Sequence, residues 1–239
     1  MPTYSRTFLQ FLCVLLLGNS GSVVGAENPK KPHQVINDLR QRMYAIGETN
    51  PKLERFIEAE QKAAAEIREY VSGGFDPSGL IEKNNTGQTP LIAAAFMGYS
   101  EVVSELLKSE AVKGSIDETN NMGMSAWLSS NIAYRQVMWA CNPKVFEAPF
   151  TFVPLFVTQP YYLQPDGPYK KTRRVLEAAG AKADLARAKQ FWQDNCKTQS
   201  DVTRNRVQES GDLLETVLAE GAETLARFLI EKQQQMGKK

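Results

Sequence analysis

The sequence has little of the side-chain chemistry on which most enzymes depend. Its 239 residues include a single histidine, His33, so no Ser-His or Cys-His pair can form in the body of the chain. The same scarcity excludes a histidine-rich metal site, and we predict neither a metal nor a cofactor. No glycine-rich phosphate-binding loop occurs, because Ser72-Gly73-Gly74 follows a predicted helix and carries no lysine. His33 itself is expected to be a solvated linker residue.

An excess of charge of one sign is also missing. Lysine and arginine together number 28, aspartate and glutamate 27, and no long block of either sign occurs. A chain without a basic patch has no general attraction for nucleic acid or for an anionic membrane surface. We therefore predict no nucleic-acid partner and no membrane association of the mature chain.

The first 26 residues have the layout of a secretory signal peptide. Arg6 is their only charged side chain, an apolar run extends from Phe8 to Leu17, and small residues end the segment at Val24-Gly25-Ala26. The apolar run is about half as long as a membrane-spanning helix requires. We predict cleavage after Ala26, which leaves a mature chain of residues 27–239 that is exported.

Cysteine is rare, with three in the chain, and Cys13 lies in the predicted signal peptide. The other two, Cys141 and Cys196, would enter an oxidising compartment, where two cysteines allow one pairing. A disulfide between Cys141 and Cys196 is one expectation, and two buried free thiols are the alternative.

One stretch carries a specific pattern, which runs Thr86-Gly87-Gln88-Thr89-Pro90-Leu91-Ile92-Ala93-Ala94-Ala95 and continues through Gly98 to Leu107. Thr89 can cap a helix that begins at Pro90, and Gly98 permits a tight reversal into a second helix. The stretch resembles an ankyrin repeat, whose pattern is G-x-T-P-L-x-x-A-A, then Gly, then V-V-x-x-L-L. The resemblance assigns the repeat core to Thr89, Pro90, Leu91, Ala94, Ala95, Gly98, Val102, Val103, Leu106 and Leu107.

The resemblance implies an all-α fold, an ankyrin-repeat helical solenoid with degenerate capping repeats and an insertion rich in aromatic residues and proline. Terminal repeats of solenoids are atypical because one face meets water. The expected divisions are an N-terminal capping helix pair at 33–83, an ankyrin repeat at 84–116, a degenerate repeat at 117–181 and a C-terminal helical cap at 182–239.

The degenerate repeat is interpreted as split. Met122-Gly123-Met124-Ser125-Ala126-Trp127 repeats the pattern of residues 86–91 further along the chain, and its helix is expected to run to about Ala140. Residues 142–169 then hold a concentration of prolines and aromatics in place of a second helix. Because residues 175–181 resemble the end of a second helix, we interpret 142–169 as an insertion.

Two surfaces are candidates for contact with a partner. The first, which the resemblance implies, consists of the hairpin tips and the inner helical face. Its residues are Phe96, Met97, Asn121 and Met122. The insertion is the second, since aromatic side chains carry much of the energy at interfaces. The insertion either covers the body of the protein or contacts a partner. Phe150 and Phe152 are assigned mainly to covering the body, and Tyr161 and Tyr162 mainly to contacting a partner. The insertion's candidate contacts are Phe146, Phe150, Phe156, Tyr161 and Tyr162.

As a family, ankyrin arrays bind proteins rather than catalyse reactions, and an exported one resembles bacterial periplasmic ankyrin-repeat proteins. The implied function is non-enzymatic binding of another protein, with no catalytic residue assigned. The protein would be an immunity protein that blocks a toxic enzyme, or a stabilising or scaffolding partner of a resident periplasmic protein. A hydrolase that uses two carboxylates is the alternative from another class.

Overall fold

Two long helices begin the described part of the chain, α1 (Pro32–Thr49) and α2 (Leu53–Ser72). The structure, a computed structural model, describes residues 29–131, 158–164, 166–184, 186, 187 and 190. Both helices bury an apolar stripe, as amphipathic helices in a stack do. His33 lies in the first turn of α1, where its Nε2 donates to the carbonyl of Glu82 at 2.9 Å. The expectation that His33 is a linker residue was therefore wrong.

The remaining elements are short, and the described ranges contain no β-strand. In chain order they are a 3₁₀ helix (Pro77–Leu80), α3 (Pro90–Met97), α4 (Ser100–Leu106), α5 (Glu110–Gly114), α6 (Ala126–Ser130), α7 (Gln159–Tyr162) and α8 (Pro168–Ala178).

The main helices form two layers. One layer consists of α1, α3 and α6, packed in that order, and the other of α2, α4 and α8. Contacts within the pairs α1–α2, α3–α4 and α6–α8 join the layers. The Arg68 Nη2 to Glu105 Oε1 ion pair at 2.8 Å ties α2 to α4. Within the described residues the fold is therefore a stack of three helix pairs, an all-α solenoid.

The first helices of the second and third pairs begin in the same way. Thr89 Oγ1 accepts a hydrogen bond from the Ile92 N–H at 3.3 Å, and Ser125 Oγ accepts one from the Leu128 N–H at 3.3 Å. Each side chain satisfies one N–H that the first helical turn leaves without a partner. The ten residues assigned to the repeat core are all buried.

Helix α6 ends at Ser130, and Asn131 has extended backbone angles of −89° and 100°. The prediction that this helix runs to about Ala140 was wrong. Ser130 Oγ donates back to the carbonyl of Trp127 at 2.7 Å, a local bond that competes with helix continuation. Arg173 Nη1 donates to the carbonyl of Ser130 at 3.0 Å and so terminates the helix from outside.

Helix α8 occupies the place of the missing second helix. Trp127 Nε1 of α6 donates to Glu177 Oε1 of α8 at 2.7 Å. The helix ends in a Schellman motif, with the Ala181 N–H bonded to the Leu176 carbonyl at 2.9 Å and the Gly180 N–H to the Glu177 carbonyl at 3.0 Å. Residues far apart in sequence thus complete one helix pair.

Across the described segments, we find no helix with the length and apolar character that crossing a bilayer demands. Several predictions lie outside these segments and stay predictions: the signal peptide 1–26, Cys141, Cys196, Phe146, Phe150, Phe152, Phe156 and most of the C-terminal cap 182–239.

Candidate partner-binding surface

The loop before α3 is built around Asn84. Its Oδ1 accepts hydrogen bonds from the N–H groups of Thr86 and Gln88, both at 3.0 Å, and from Thr86 Oγ1 at 2.7 Å. Backbone bonds close the loop, from the Gly87 N–H to the Asn84 carbonyl at 2.8 Å and from the Asn84 N–H to the Gln88 carbonyl at 3.0 Å. The result is a tightly held turn, which we call the first tip.

The loop before α6, the second tip, repeats this geometry around Asn120. Its Oδ1 accepts from the N–H groups of Met122 and Met124 at 2.9 and 3.0 Å. Gly123 has a φ of 72°, close to the 73° of Gly87 in the first tip. Sequence reasoning missed the two asparagines, although both tips begin with Asn-Asn-x-Gly at the repeat offset.

The two tips are bonded to each other. The Asn121 N–H donates to the Thr86 carbonyl at 3.2 Å, and Lys83 Nζ lies 2.9 Å from Glu118 Oε2. A Cβ on Gly87 would come within 2.3 Å of Asn121 Oδ1, so only glycine allows this close approach. The tips form one connected surface whose backbone is ordered before any partner arrives.

Some of the predicted partner contacts lie on this surface, and others lie away from it. Asn121 is exposed, and Met122 keeps 42% of its surface accessible, which is unusual for a large apolar side chain. Asn85 and Thr86 are exposed beside them. Phe96 and Met97 are half-buried at the far end of α3, about 12 Å along its axis. The structure therefore brings Asn121 and Met122 together and separates them from Phe96 and Met97.

Residues 86–121 match the family model for the ankyrin repeat, a segment that begins within the first tip, contains α3, α4 and α5, and ends within the second tip. With the two helical layers, this match makes the fold an all-α ankyrin solenoid. Ankyrin repeats generally mediate protein–protein interaction and are typically non-catalytic. Comparison with curated proteins and with solved structures finds no match.

Three tyrosines from the insertion close the end of the ankyrin repeat's first helix. Their hydroxyl groups donate to three successive backbone carbonyls, at distances between 2.8 and 3.3 Å. The bonds run from Tyr169 to Phe96, from Tyr162 to Met97 and from Tyr161 to Gly98. We call Tyr161, Tyr162 and Tyr169 the tyrosine cluster. The last carbonyls of a helix have no intrahelical partner, and the tyrosine cluster supplies one.

Gly98 makes this arrangement possible. It has a φ of 72°, and its N–H bonds to the Ala95 carbonyl at 3.1 Å, while the Tyr99 N–H bonds to the Ala94 carbonyl at 3.0 Å. A Cβ on Gly98 would lie 3.1 Å from the ring of Tyr169. These two backbone bonds and the hydroxyl groups of Tyr162 and Tyr169 together give a donor to each of the last four carbonyls of α3.

The burial of Tyr161 and Tyr162 contradicts one prediction from the sequence. Tyr161 is 1% exposed and Tyr162 is 5% exposed, so neither offers a surface to a partner. Tyr161 packs on Phe56 of α2, and the rings of Tyr162 and Tyr169 stack with their centroids 5.2 Å apart. Tyrosine is well tolerated in a core when its hydroxyl is bonded, as both are here. The assignment of Tyr161 and Tyr162 to partner contact was therefore wrong.

A buried carboxyl group anchors Tyr161. Glu60 of α2 is 5% exposed, its Oε2 lies 2.7 Å from the Tyr161 hydroxyl, and its Oε1 accepts from the Glu101 N–H at 2.9 Å. Burial raises the pKa of Glu60 to about 7. The bonds from Tyr161 and the Glu101 N–H, with the Lys171 charge, oppose the shift, while the Glu101 charge adds to it.

The bonding around Tyr161 suits both protonation states of Glu60. One hydroxyl proton serves one acceptor at a time, and Tyr161 has two within reach, Glu60 Oε2 at 2.7 Å and the Gly98 carbonyl at 3.2 Å. An ionised Glu60 accepts that proton. A neutral Glu60 donates to the tyrosine oxygen, which then donates to Gly98. Titration thus shifts the hydrogen bonds without breaking the link between α2 and the insertion.

The structure gives Glu60 no catalytic arrangement despite a pKa near neutrality. Both of its oxygens are bonded inside the core, and general acid or base catalysis needs a group within reach of substrate. The described ranges also contain no cluster of three or more side chains able to hold a metal ion. We assign Glu60 to the attachment of the insertion.

Replacing Tyr161 by phenylalanine should lower the free energy of unfolding by about 1–3 kcal/mol at pH 8, because it leaves the ionised Glu60 without one hydrogen bond. Denaturant melts measure this loss. Tyr44→Phe is the matched control, since that hydroxyl is on an exposed side chain and its removal should change stability by no more than about 0.5 kcal/mol. Equal melts for the two variants would contradict the role of the hydroxyl.

Proposed function

We propose that this protein works by binding another protein through the two tips, with Asn85, Thr86, Asn121 and Met122 as the contact surface. The observation that carries the proposal is the bonding of the two tips to each other, from the Asn121 N–H to the Thr86 carbonyl. A surface ordered in advance loses less entropy on binding. The exposed Met122 supplies an adaptable apolar contact, and the ankyrin repeat generally serves protein interaction.

The charges near the tips indicate how the partner is held. Lys83 pairs with Glu118 at 2.9 Å and Lys31 pairs with Glu82 at 3.1 Å, so these four charges balance one another, and the Arg187 guanidinium lies beside Gly123 of the second tip. Association is then driven by apolar contact and hydrogen bonds rather than by electrostatic steering. We expect the affinity to depend only weakly on salt concentration.

We also propose a cellular compartment for this protein. The arrangement of Arg6, the apolar run and Ala26 supports export, and we propose the periplasm of a bacterium as the compartment. There the protein would act as an immunity protein that blocks the active site of a toxic enzyme. The neighbouring gene tests this role, because a toxin encoded beside this chain favours immunity and a resident periplasmic protein favours a stabilising partner.

Replacing Met122 by arginine should weaken binding of the partner at least tenfold, because it places a charge at the centre of the contact surface. The partner is first identified by photo-crosslinking from position 122 in the native host, and affinity is then measured with purified proteins. The melting temperature should not change, since Met122 is exposed.

Leu163→Arg is the matched control. Leu163 is exposed like Met122 but follows α7 of the insertion, away from the tips. Unchanged affinity for Leu163→Arg with lost affinity for Met122→Arg supports the proposal. The reverse result would move the contact to the insertion, and full affinity in both variants would reject both surfaces.

A further inference from the structure

The second tip has an open edge on the side away from the first tip. On the corresponding side the first tip is closed by Asn121, whose N–H donates to the Thr86 carbonyl at 3.2 Å and whose Nδ2 donates to the Asn85 carbonyl at 3.4 Å. The residues at the matching positions of the second tip are Asn121 and Met122. Neither of their carbonyls accepts a hydrogen bond from a described residue. The second tip therefore lacks the donors that close the first.

The described part of the chain forms no third tip at this edge. After α8, the Lys182 N–H donates to Asp117 Oδ1 at 2.9 Å, so the chain passes beside the loop that leads to the second tip. Asp184 Oδ1 then accepts from the Arg187 N–H at 3.3 Å, the bond that caps the start of a helix. Ala186 and Arg187 are helical. The chain thus enters a helical turn in place of another Asn-Asn-x-Gly tip.

The guanidinium of Arg187 lies at the open edge. A Cβ on Gly123 would come within 2.9 Å of Arg187 Nη2, just as a Cβ on Gly87 would come within 2.3 Å of Asn121 Oδ1. Arg187 therefore lies against the second tip as Asn121 lies against the first. A guanidinium carries five N–H donors in a fixed plane and always bears a positive charge, so the edge can donate to an anionic group.

The Arg187 side chain is free to meet a partner. It is exposed, and among the described residues its guanidinium donates only from Nη1 to Gln190 Oε1, at 3.4 Å, and takes part in no ion pair. The carboxylates nearest to it in the two loops have other partners. Glu118 pairs with a lysine at 2.9 Å, while Asp117 and Asp184 accept from backbone N–H groups.

On the basis of the function proposed above, we propose that a loop of the protein partner docks at this edge as a third tip. A backbone N–H of that loop donates to the Met122 carbonyl, as the Asn121 N–H donates to the Thr86 carbonyl. An aspartate or glutamate of the same loop accepts two parallel hydrogen bonds from Arg187, a geometry that suits arginine and carboxylate. The partner is therefore a protein with an exposed acidic loop. One ion pair that the docked loop shields from solvent adds affinity with little dependence on salt.

Substitution of Arg187 tests the ion pair, using the purified protein that photo-crosslinking from position 122 identifies. Arg187→Gln should weaken binding at least tenfold, because it removes the charge and the paired bonds. Arg187→Lys should recover only part of the loss, since a lysine cannot make two parallel bonds to one carboxylate. The melting temperature should not change, because the side chain is exposed.

Arg55→Gln is the matched control and should leave the affinity unchanged. Arg55 is exposed and takes part in no ion pair in the segments that the structure describes. It lies in the first turn of α2, just after α1 has ended. The start of α1 is the end near the tips, because His33 there bonds to the Glu82 carbonyl. Equal losses for Arg55→Gln and Arg187→Gln would overturn the proposal.

Reversal of the charges identifies the partner's residue. Arg187→Glu should weaken binding more than Arg187→Gln does, because it places like charges together. An arginine in place of one acidic residue in the crosslinked loop of the partner should then restore binding. Hydrogen exchange in the complex of the unmodified proteins should slow at backbone N–H groups of the same loop. No rescue from any acidic position, or protection only outside that loop, would overturn the proposal.

A parallel measurement with Met122→Arg distinguishes failure of the third tip from failure of the tips as a contact surface. Lost affinity for Met122→Arg with unchanged affinity for Arg187→Gln would keep the tips and overturn the third tip. Full affinity for Met122→Arg would reject the tips, and the third tip with them, whatever the result for Arg187→Gln. Self-association of the chain that Arg187→Gln abolishes would assign the edge to a second copy and also overturn the proposal.

Discussion

An alanine in place of Leu106 should lower the free energy of unfolding by about 2–5 kcal/mol. The side chain is fully buried in α4, and α4 packs against both α2 and α8. Removing it leaves a cavity where three helix pairs meet, which the surrounding helices fill only in part. Because each pair in a solenoid is supported by its neighbours, the whole stack should be destabilised. Denaturant melts of the variant and the parent measure the effect.

Leu91→Ala should have an effect of the same size, since Leu91 is buried in α3 of the same repeat. Met122→Ala is the control, because its side chain is exposed and its loss should change stability by no more than about 0.5 kcal/mol. A Leu106→Ala variant as stable as this control would mean that α4 turns a different face to the core.

Stability should fall as the pH rises from about 4.5 to about 7, because of Glu60. The folded state raises the pKa of this carboxyl from 4.5 to about 7, so between these values the folded chain binds a proton that the unfolded chain has released. The stabilisation from the neutral carboxyl is complete below pH 4.5 and is lost as the pH rises through 7. The full loss is about 3 kcal/mol.

Glu60→Gln isolates this effect from other titrating groups. The amide mimics the neutral carboxyl, accepting from the Glu101 N–H and donating to the Tyr161 oxygen. The variant should match the parent near pH 4.5 and exceed its free energy of unfolding by up to about 3 kcal/mol at pH 8. Denaturant melts across this pH range measure the free energy of unfolding of both proteins. A difference between variant and parent that stays constant with pH would show that Glu60 does not titrate in this range.

The repeat was predictable from sequence because its signals are local. Thr89 and Pro90 begin a helix through bonds to residues three positions away, and Gly98 reverses the chain by its own backbone angle. The recurrence of the pattern at Met122–Trp127 placed the second tip for the same reason. Helix α6 was predicted too long because an external donor, Arg173, takes the carbonyl of Ser130.

The candidate surfaces were predictable only in part. Asn121 and Met122 were assigned to a tip by the repeat pattern, and they do lie exposed there. Tyr161 and Tyr162 were misplaced because proline-flanked aromatics have the same composition in a binding loop and in a segment packed on the core. The bonds that distinguish the two cases run to Met97 and Gly98 in a distant helix.

By itself, the sequence determined the helical repeat, its capping residues and the position of its tips, since these depend on hydrogen bonds and side-chain periods within a few residues. Only the tertiary structure decided that Tyr161 meets Glu60 across 101 positions of the chain, and that Trp127 meets Glu177 across 50 positions. Such pairs form because burial makes an unpaired polar group costly, and the geometry of the stacked helices selects which partner is within reach.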